Sequence, residues 1–371
     1  MRICFIDFAP WHYDVSTPFD RPLGGSQSAM CYLAIELAKL GHDVFVVTQT
    51  GEAMREIMGV QCGGYLPARE LDVLIAINAP GNGVALRSHI QAATKLILWT
   101  QHAANQPVMR TRLIAETHRG IWDKIVCVSN WQREEVLKEY ELDPDRVCVL
   151  RNAIAPAFEN LFTSHADLIA AKSGDVLRLT YTSTPYRGLK LLPDIFKPYH
   201  AANPDAVLEV YSSMAVYMES MEEDRERFAA IYDAVSETEG MELVGSIPQP
   251  ELAHRLRGAH ILAYPNAFPE TSCISVMEAL AAGLRIVTSH LGALPETCED
   301  FAYLVPIIIE IDDEATSINV KNGTSYTAAF QTALAKATYN TGGLYDQVKH
   351  MNTHHTWAIR AHEWLGMLDA A

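Results

Sequence analysis

Glu270 and Glu278 stand eight positions apart in the stretch FPETSCISVMEALAAG, residues 268–283. Paired carboxylates can serve as general acid and base, so the spacing decides what chemistry the two could share. The first follows a proline shortly after a strand-like run, and the second lies in the first turns of a segment that reads as helix. Helical geometry throughout would separate them by about 80° modulo whole turns and roughly 12 Å of rise. Two carboxyls that close on one bond in a retaining hydrolase need about 5 Å. The pair therefore suits two ends of an extended ligand. Between them, Thr271, Ser272, Cys273, Ile274 and Ser275 form the loop and the opening of the helix, where unpaired amides and the macrodipole favour a phosphate. A structural alternative exists for Glu278, because Ser275-x-x-Glu278 has the form of a capping box.

Elements that could position such a site recur along the chain. RICFIDF, DVFVVT, LDVLIAI, KLILWT, DKIVCVS and RVCVLRNA are short apolar runs that read as strands. SAMCYLAIELAKLG and NWQREEVLKEY, at helical spacing, lie among them. Short Val/Ile/Leu runs separated by helices indicate a parallel sheet covered on both faces. The composition shifts over 156–176, PAFENLFTSHADLIAAKSGDV, which reads as an interdomain connection. The pattern then restarts with VLRLTYTS, AVLEVYSS, MELVGSI, HILAYP and LRIVTS as strands. The expected fold class is α/β, with two Rossmann-like, doubly wound parallel-sheet domains in tandem. Their expected bounds are 1–165 and 176–345, with 346–371 a C-terminal amphipathic helix that crosses back toward the first domain and acts with the linker as a hinge. Ligands of open parallel sheets lie at the carboxyl ends of strands, so a cleft between two facing sheets is the expected site.

Composition narrows the function classes. The chain has 371 residues, too many for one ordinary core, with 49% hydrophobic and 20% charged residues, as in a soluble globular protein. A formal charge of −16 argues against a nucleic-acid partner and against charge-driven membrane binding. The arginine-bearing segment MRTRLIAETHRG, residues 109–120, reads as a solvated helix face. Seven scattered cysteines, never spaced C-x-x-C, read as reduced and mostly buried thiols. No signal peptide or membrane span is read, so the expected location is cytoplasmic, or peripheral at the inner face of a membrane. A dinucleotide-type G-x-G-x-x-G after the first strand is absent, which argues against hydride transfer. The adjacent His354 and His355 lie in a polar segment without an evident carboxylate partner and read as solvent-facing, so no metal and no cofactor are assigned.

The block PETSCISVMEALAAGLRIVTSHLGALPE resembles the signature of the retaining glycosyltransferases of family 4, within the group 1 glycosyl transferases of GT-B fold. That pattern has a glutamate, seven residues, a second glutamate, then Ala-x-Ala-x-Gly and a strand. GGSQSAMCYLAIELAKLGHDVFVVT, IVCVSNWQREEVL, VLRNAI and GSIPQPELAHRLRGAHILAYPNAFPE are similar to further segments of the family, so the resemblance covers nearly the whole chain. It implies transfer of a sugar from a nucleoside-diphosphate sugar to a hydroxyl acceptor (glycan, lipid-linked or small-molecule) with retention and without a metal. It also implies roles for residues. Glu270 holds donor-sugar hydroxyls, amides from Thr271 to Ser275 cover the sugar and diphosphate, and Glu278 accepts from the ribose. Gly24 and Gly25 approach the donor phosphate, His102 contacts the donor sugar, and backbone near Ile247 meets the base.

One segment departs from the family. Where the pattern has an arginine and then a lysine for the diphosphate, this chain has TYTSTPYRGLKLL. Arg187 fits the second position, while hydroxyls at Thr182, Ser183 and Thr184 replace the first cation, and Lys190 is the candidate substitute. Ala153 likewise stands where a glycine is usual. Two other classes stay open: a non-catalytic protein of the same fold that binds a partner, and a nucleotide-sugar epimerase.

Overall fold

The structure, a computed structural model, describes all residues except 114, 116–118, 312–317, 338–341 and 371. Part of the 109–120 segment thus lies outside the described residues. Two compact units divide the chain: Met1–Asp20, Gly24–Ala153 and Trp357–Ala371 form one, and Arg21–Leu23 with Ile154–Thr356 the other.

The first unit is built on strands β1 (Arg2–Asp7), β2 (Asp43–Val47), β3 (Arg55–Ile57), β4 (Val60–Gly63), β5 (Val73–Ile77), β6 (Lys95–Trp99), β7 (Lys124–Cys127) and β8 (Val147–Val149). They lie in the order β3-β4-β2-β1-β5-β6-β7-β8. All pairs are parallel except the β3/β4 hairpin at the edge, which carries no apolar run and was not legible as strand. β5 is buried along its whole length and β1 at every residue but the first, as expected of strands covered on both faces. The C-terminal helix Trp357–Ala370 completes this unit. Its Trp364 packs edge-on to Trp99 at the end of β6, with ring centroids 5.0 Å apart, and Trp357 lies 6.3 Å from Tyr32. Arg360, buried, donates from Nε to the Asn152 carbonyl at 3.1 Å.

The second unit contains β9 (Leu177–Tyr181), β10 (Ala206–Val210), β11 (Met241–Leu243), β12 (Ile261–Tyr264), β13 (Arg285–His290) and β14 (Ala302–Pro306). Their order, β11-β10-β9-β12-β13-β14, is all parallel and is the doubly wound arrangement in which chain direction across the sheet reverses between the first and fourth strands. MELVGSI is strand only over Met241–Leu243, since Gly245 turns at φ +82°.

Two boundaries differ from the sequence expectation. The stretch 156–176 is not a free connection but holds the helix His165–Lys172, part of the second unit. The physical reason is Lys172, whose buried ammonium donates to the carbonyls of Leu256, Ala259 and Ala282. The helix Leu344–His354, expected to begin the C-terminal extension, also belongs to the second unit. There Gln347 Nε2 donates to the Leu280 and Leu284 carbonyls at 2.9 and 3.1 Å.

Trp364 is fully buried, yet its indole nitrogen has no hydrogen-bond partner. Trp364→Ala is expected to lower unfolding free energy by about 3–5 kcal/mol. Trp364→Phe should cost less than half of that, because it keeps most of the ring and removes an orphaned donor. Urea unfolding followed by far-UV circular dichroism measures both; equal costs would contradict the packing account.

Candidate active site

The loops that follow β9 and β12 leave neighbouring strands at the point where the strand order reverses. Ligands of such sheets bind there, outside the carboxyl ends of the strands. The loop after β9 contains Thr182, Ser183 and Thr184 and a 3-10 turn, Pro185–Arg187; the loop after β12 runs to Glu270. Gly188 joins the two. At φ +116° its absent side chain lets Pro265 O approach to 2.1 Å from where a Cβ would stand, and Ala267 N–H donates to Arg187 O at 3.2 Å.

Arg187 and Glu270 meet in an ion pair. Arg187 Nη1 lies 2.7 Å from Glu270 Oε1 and 2.8 Å from Oε2. Tyr264, the last residue of β12, donates its hydroxyl to Glu270 Oε1 at 2.6 Å, and Ser183 Oγ lies 3.3 Å from the same hydroxyl. Burial, and then the Glu270 charge, push the Tyr264 hydroxyl well above its usual range, so it stays a donor. The guanidinium also stacks over Phe268 at 4.9 Å and lies 5.6 Å from the Tyr186 ring centroid. Its Nε is buried without a partner. A carboxylate offers about four lone-pair sites. Three are taken here, so Glu270 can still accept from a ligand hydroxyl.

Glu278 is placed by the helix Ile274–Ala281. The capping-box alternative fails: the N-cap is Cys273, which makes no side-chain cap, and Ser275 inside the helix donates its hydroxyl to Thr182 O at 2.5 Å. Ser275 is thereby drawn to the end of β9, away from its own helix terminus. The first intrahelical bonds run from Val276 and Met277 to Cys273 O, which leaves the amides of Ile274 and Ser275 outside the helix's own bonding. Glu278 itself is 3% exposed, and its Oε1 has no hydrogen-bond partner. Burial pushes its carboxyl up to about 8, against hydrogen bonds from the Ala155 amide and the Gln249 side chain that act the other way.

Within the second unit, then, Ser183, Arg187 and Glu270 are brought together through Tyr264, and Ser275 links the helix of Glu278 to the same strand end. Thr271 and Cys273 are buried, while Ser272 and Ile274 are half-buried. Lys190 is exposed and forms no ion pair among the described residues, so it does not join Arg187. Ile247, half-buried, follows the Gly245 turn, where Ser246 and Ser213 hydroxyls lie 2.8 Å apart. In the first unit, Gly24 is the N-cap of the helix Gly25–Lys39. His102 follows β6, and its carbonyl accepts from Gln132 Nε2 at 2.9 Å.

Sequence reasoning missed Tyr264 and Gln249. Tyr264 carried a signal, a polar-tipped aromatic closing an apolar strand; Gln249 carried none. The solvent-facing reading of His354 and His355 is corrected for the second residue. His354 is exposed, but the helix ends between them and His355 turns inward, buried, with Nε2 3.3 Å from Glu299 Oε1.

The buried carboxyl of Glu278 makes a pH prediction. Its folded value lies above the ordinary 4.5, so its contribution is fully present below the unfolded value and is lost as pH rises through about 8. Each unit of difference corresponds to about 1.4 kcal/mol. Glu278→Gln should therefore become more stable relative to wild type between pH 5 and pH 9, by a few kcal/mol at most. Thermal unfolding midpoints of both proteins at pH 5, 7 and 9 measure this, and a pH-independent gap would contradict it.

Comparison with known proteins places this geometry. The family model described as glycosyl transferases group 1 matches residues 177–318, which include Arg187, Glu270 and Glu278. A component of the phosphatidylinositol N-acetylglucosaminyltransferase of Arabidopsis thaliana is 23% identical over 319 residues, covering 77% of this chain and 68% of the plant protein. The Homo sapiens protein of the same name is 26% identical over 174 residues, or 46% of this chain and 33% of the human one. Among solved structures, the sucrose-phosphate synthase of Thermosynechococcus elongatus superposes with a TM-score of 0.73 at 16% identity, covering 100% of both chains. Anabaena HepE in complex with UDP-glucose gives 0.69 at 13% identity, again over 100% of both. The portion of the chain that matches the group 1 glycosyl transferases lies in the doubly wound unit that carries the Arg187–Glu270 pair, and the fold of the chain is that of the GT-B enzymes.

Proposed function

We infer that the protein is a retaining transferase of family 4 that moves a sugar from a nucleoside-diphosphate sugar to a hydroxyl acceptor. One observation carries this reading: Glu278 is a fully buried carboxyl group with one oxygen unpartnered, on the helix whose opening amides follow Glu270. A buried acceptor left unmatched costs about 1–3 kcal/mol or more, and ribose hydroxyls would match it. The free amides of Ile274 and Ser275 suit the diphosphate, and Glu270 the sugar hydroxyls. A UDP-sugar is the first donor to test, since HepE is a UDP-glucose complex. The plant and human relatives are named for N-acetylglucosamine and phosphatidylinositol, which makes a lipid-linked hydroxyl the first acceptor to test. No helix among the described residues is long and apolar enough to cross a membrane, so the proposal is a cytoplasmic enzyme that meets such a lipid at the membrane surface.

The reaction needs no carboxylate nucleophile. The bond from the anomeric carbon to the diphosphate oxygen breaks, and the acceptor oxygen bonds to the anomeric carbon from the same face. The acceptor proton passes to the departing phosphate oxygen. Arg187 serves two partners: Nη1 orients the Glu270 carboxylate, and the unpartnered Nε is a donor for the leaving phosphate. In this reading Arg187 carries alone the charge that the family divides between two cations. In the first unit, His102, Gly24 and Gly25 are the residues the resemblance assigns to the donor. The replaced first cation favours a second reading, a protein that binds donor without turning it over.

Thermal-shift and hydrolysis screening with UDP-, GDP-, ADP- and TDP-sugars tests the assignment, with Glu270→Ala alongside. One donor class should shift the wild type, and the variant should lose most of the shift. No response to any donor, or an unchanged response in the variant, would overturn the site. Arg187→Lys removes the planar fork and should lower turnover by about 100-fold or more, comparable to loss of one donor in an oxyanion site. Donor affinity without hydrolysis or transfer in the wild type would select the non-catalytic reading, and nuclear magnetic resonance of the product anomer decides retention.

A further inference from the structure

We propose that Glu299, His350 and His355 form a binding site for a divalent transition metal, Zn²⁺ being the best fit. One nitrogen from each imidazole and one carboxylate oxygen lie within 4.8 Å of one another. His350 Nε2 and His355 Nε2 lie 3.2 and 3.3 Å from the same oxygen, Glu299 Oε1. Bonds of about 2.0–2.2 Å in a tetrahedral zinc site set its ligands roughly 3.3–3.6 Å apart. The nitrogen-to-oxygen edges are therefore already near that length, and only the two imidazoles need to draw closer. Two histidines and one carboxylate form a borderline-soft donor set that matches zinc and leaves a fourth position for water.

The fold brings the three together by separate means. Glu299 ends the short helix Leu294–Cys298 with φ +50° and ψ −131°, a conformation that turns the chain sharply. His350 lies on the helix Leu344–His354, with its ring 5.5 Å from Phe301. Five residues later, a continued helix would put His355 about 140° around the axis. Instead the helix stops at His354, and His355, at φ −130° and ψ 47°, stands with its ring 5.6 Å from that of His350. Its backbone is tied down, because its carbonyl accepts from Ile154 N–H at 2.9 Å and its own N–H donates to Met351 O at 2.9 Å. The side chains grade from buried His355 to exposed Glu299, so an ion can reach the site from solvent.

The metal clamps two elements rather than taking part in transfer. At the other end of the short helix before Glu299, Ala293 N–H donates to Glu270 O at 2.7 Å. A metal on Glu299 therefore braces the segment that supports the Glu270 loop. The site itself stands independently of the transfer reading.

The full-length chain, free of any histidine tag and stripped with a chelator, should be titrated with ZnCl₂ by calorimetry and with CoCl₂ by visible absorption. The expected result is one ion per chain, a tetrahedral cobalt spectrum, and a zinc-dependent rise in the thermal midpoint. His350→Ala and Glu299→Gln, at partly exposed positions, should each weaken binding at least tenfold and lose the thermal rise. Absence of saturable binding, or equal binding by both variants, would overturn the proposal and leave a histidine–carboxylate ion pair alone.

Discussion

The ammonium of Lys172 is buried, and it can stay so only if its three N–H donors each find an oxygen. They find the carbonyls of Leu256, Ala259 and Ala282, at or just past the ends of the helices Gln249–Arg257 and Ile274–Ala281. Carbonyls at a helix C-terminus are the acceptors that a cation suits best. Burial holds the amine well below its usual range, and the carbonyls compensate for that desolvation. One side chain thus fixes the C-terminal ends of two helices that both carry groups of the candidate site. The first carries Gln249 and the second Glu278, and the Gln249 side chain bonds the Glu278 carboxyl. The helix His165–Lys172 is therefore a structural member of the unit, although its sequence looks like a linker.

Ahead of the second of these helices, the electrostatics are opposite in kind. A carboxylate and a guanidinium neutralise one another at Glu270 and Arg187, with Tyr264 and two aromatic faces around them. The desolvation of such a pair is tolerable only when remaining donors and acceptors are also matched. The pair leaves one acceptor site on Glu270 and the Arg187 Nε unmatched, and Glu278 leaves one oxygen unmatched as well. Unmatched donors and acceptors thus remain together around the loops that follow β9 and β12 and the helix after them.

The alternation of strand and helix was legible because parallel strands covered on both faces are apolar throughout, and no other element is so short and so apolar. β3 and β14 escaped because, at the edges of their sheets, they are mostly half-buried or exposed. Glu270 and Glu278 were picked out by their spacing together with the family resemblance, and the structure buries both. The partner of Arg187 was not, because Glu270 lies 83 residues away and only the β9–β12 pairing brings them together. His355 was misread for a similar reason: its carboxylate lies 56 residues upstream, and its burial depends on where a helix stops. Ser275 shows the limit of motifs, since the sequence of a capping box was present while the hydroxyl served a neighbouring strand.

That hydroxyl has a consequence for how the chain can change. Thr182 is 8% exposed, and its carbonyl is committed to Ser275. A cationic residue at Thr182 would force a long side chain into a position packed for a small one. It would also disturb the bond that seats the Glu278 helix against β9. Substitutions tolerated in this loop are thus confined to residues that leave the Thr182 backbone where it is.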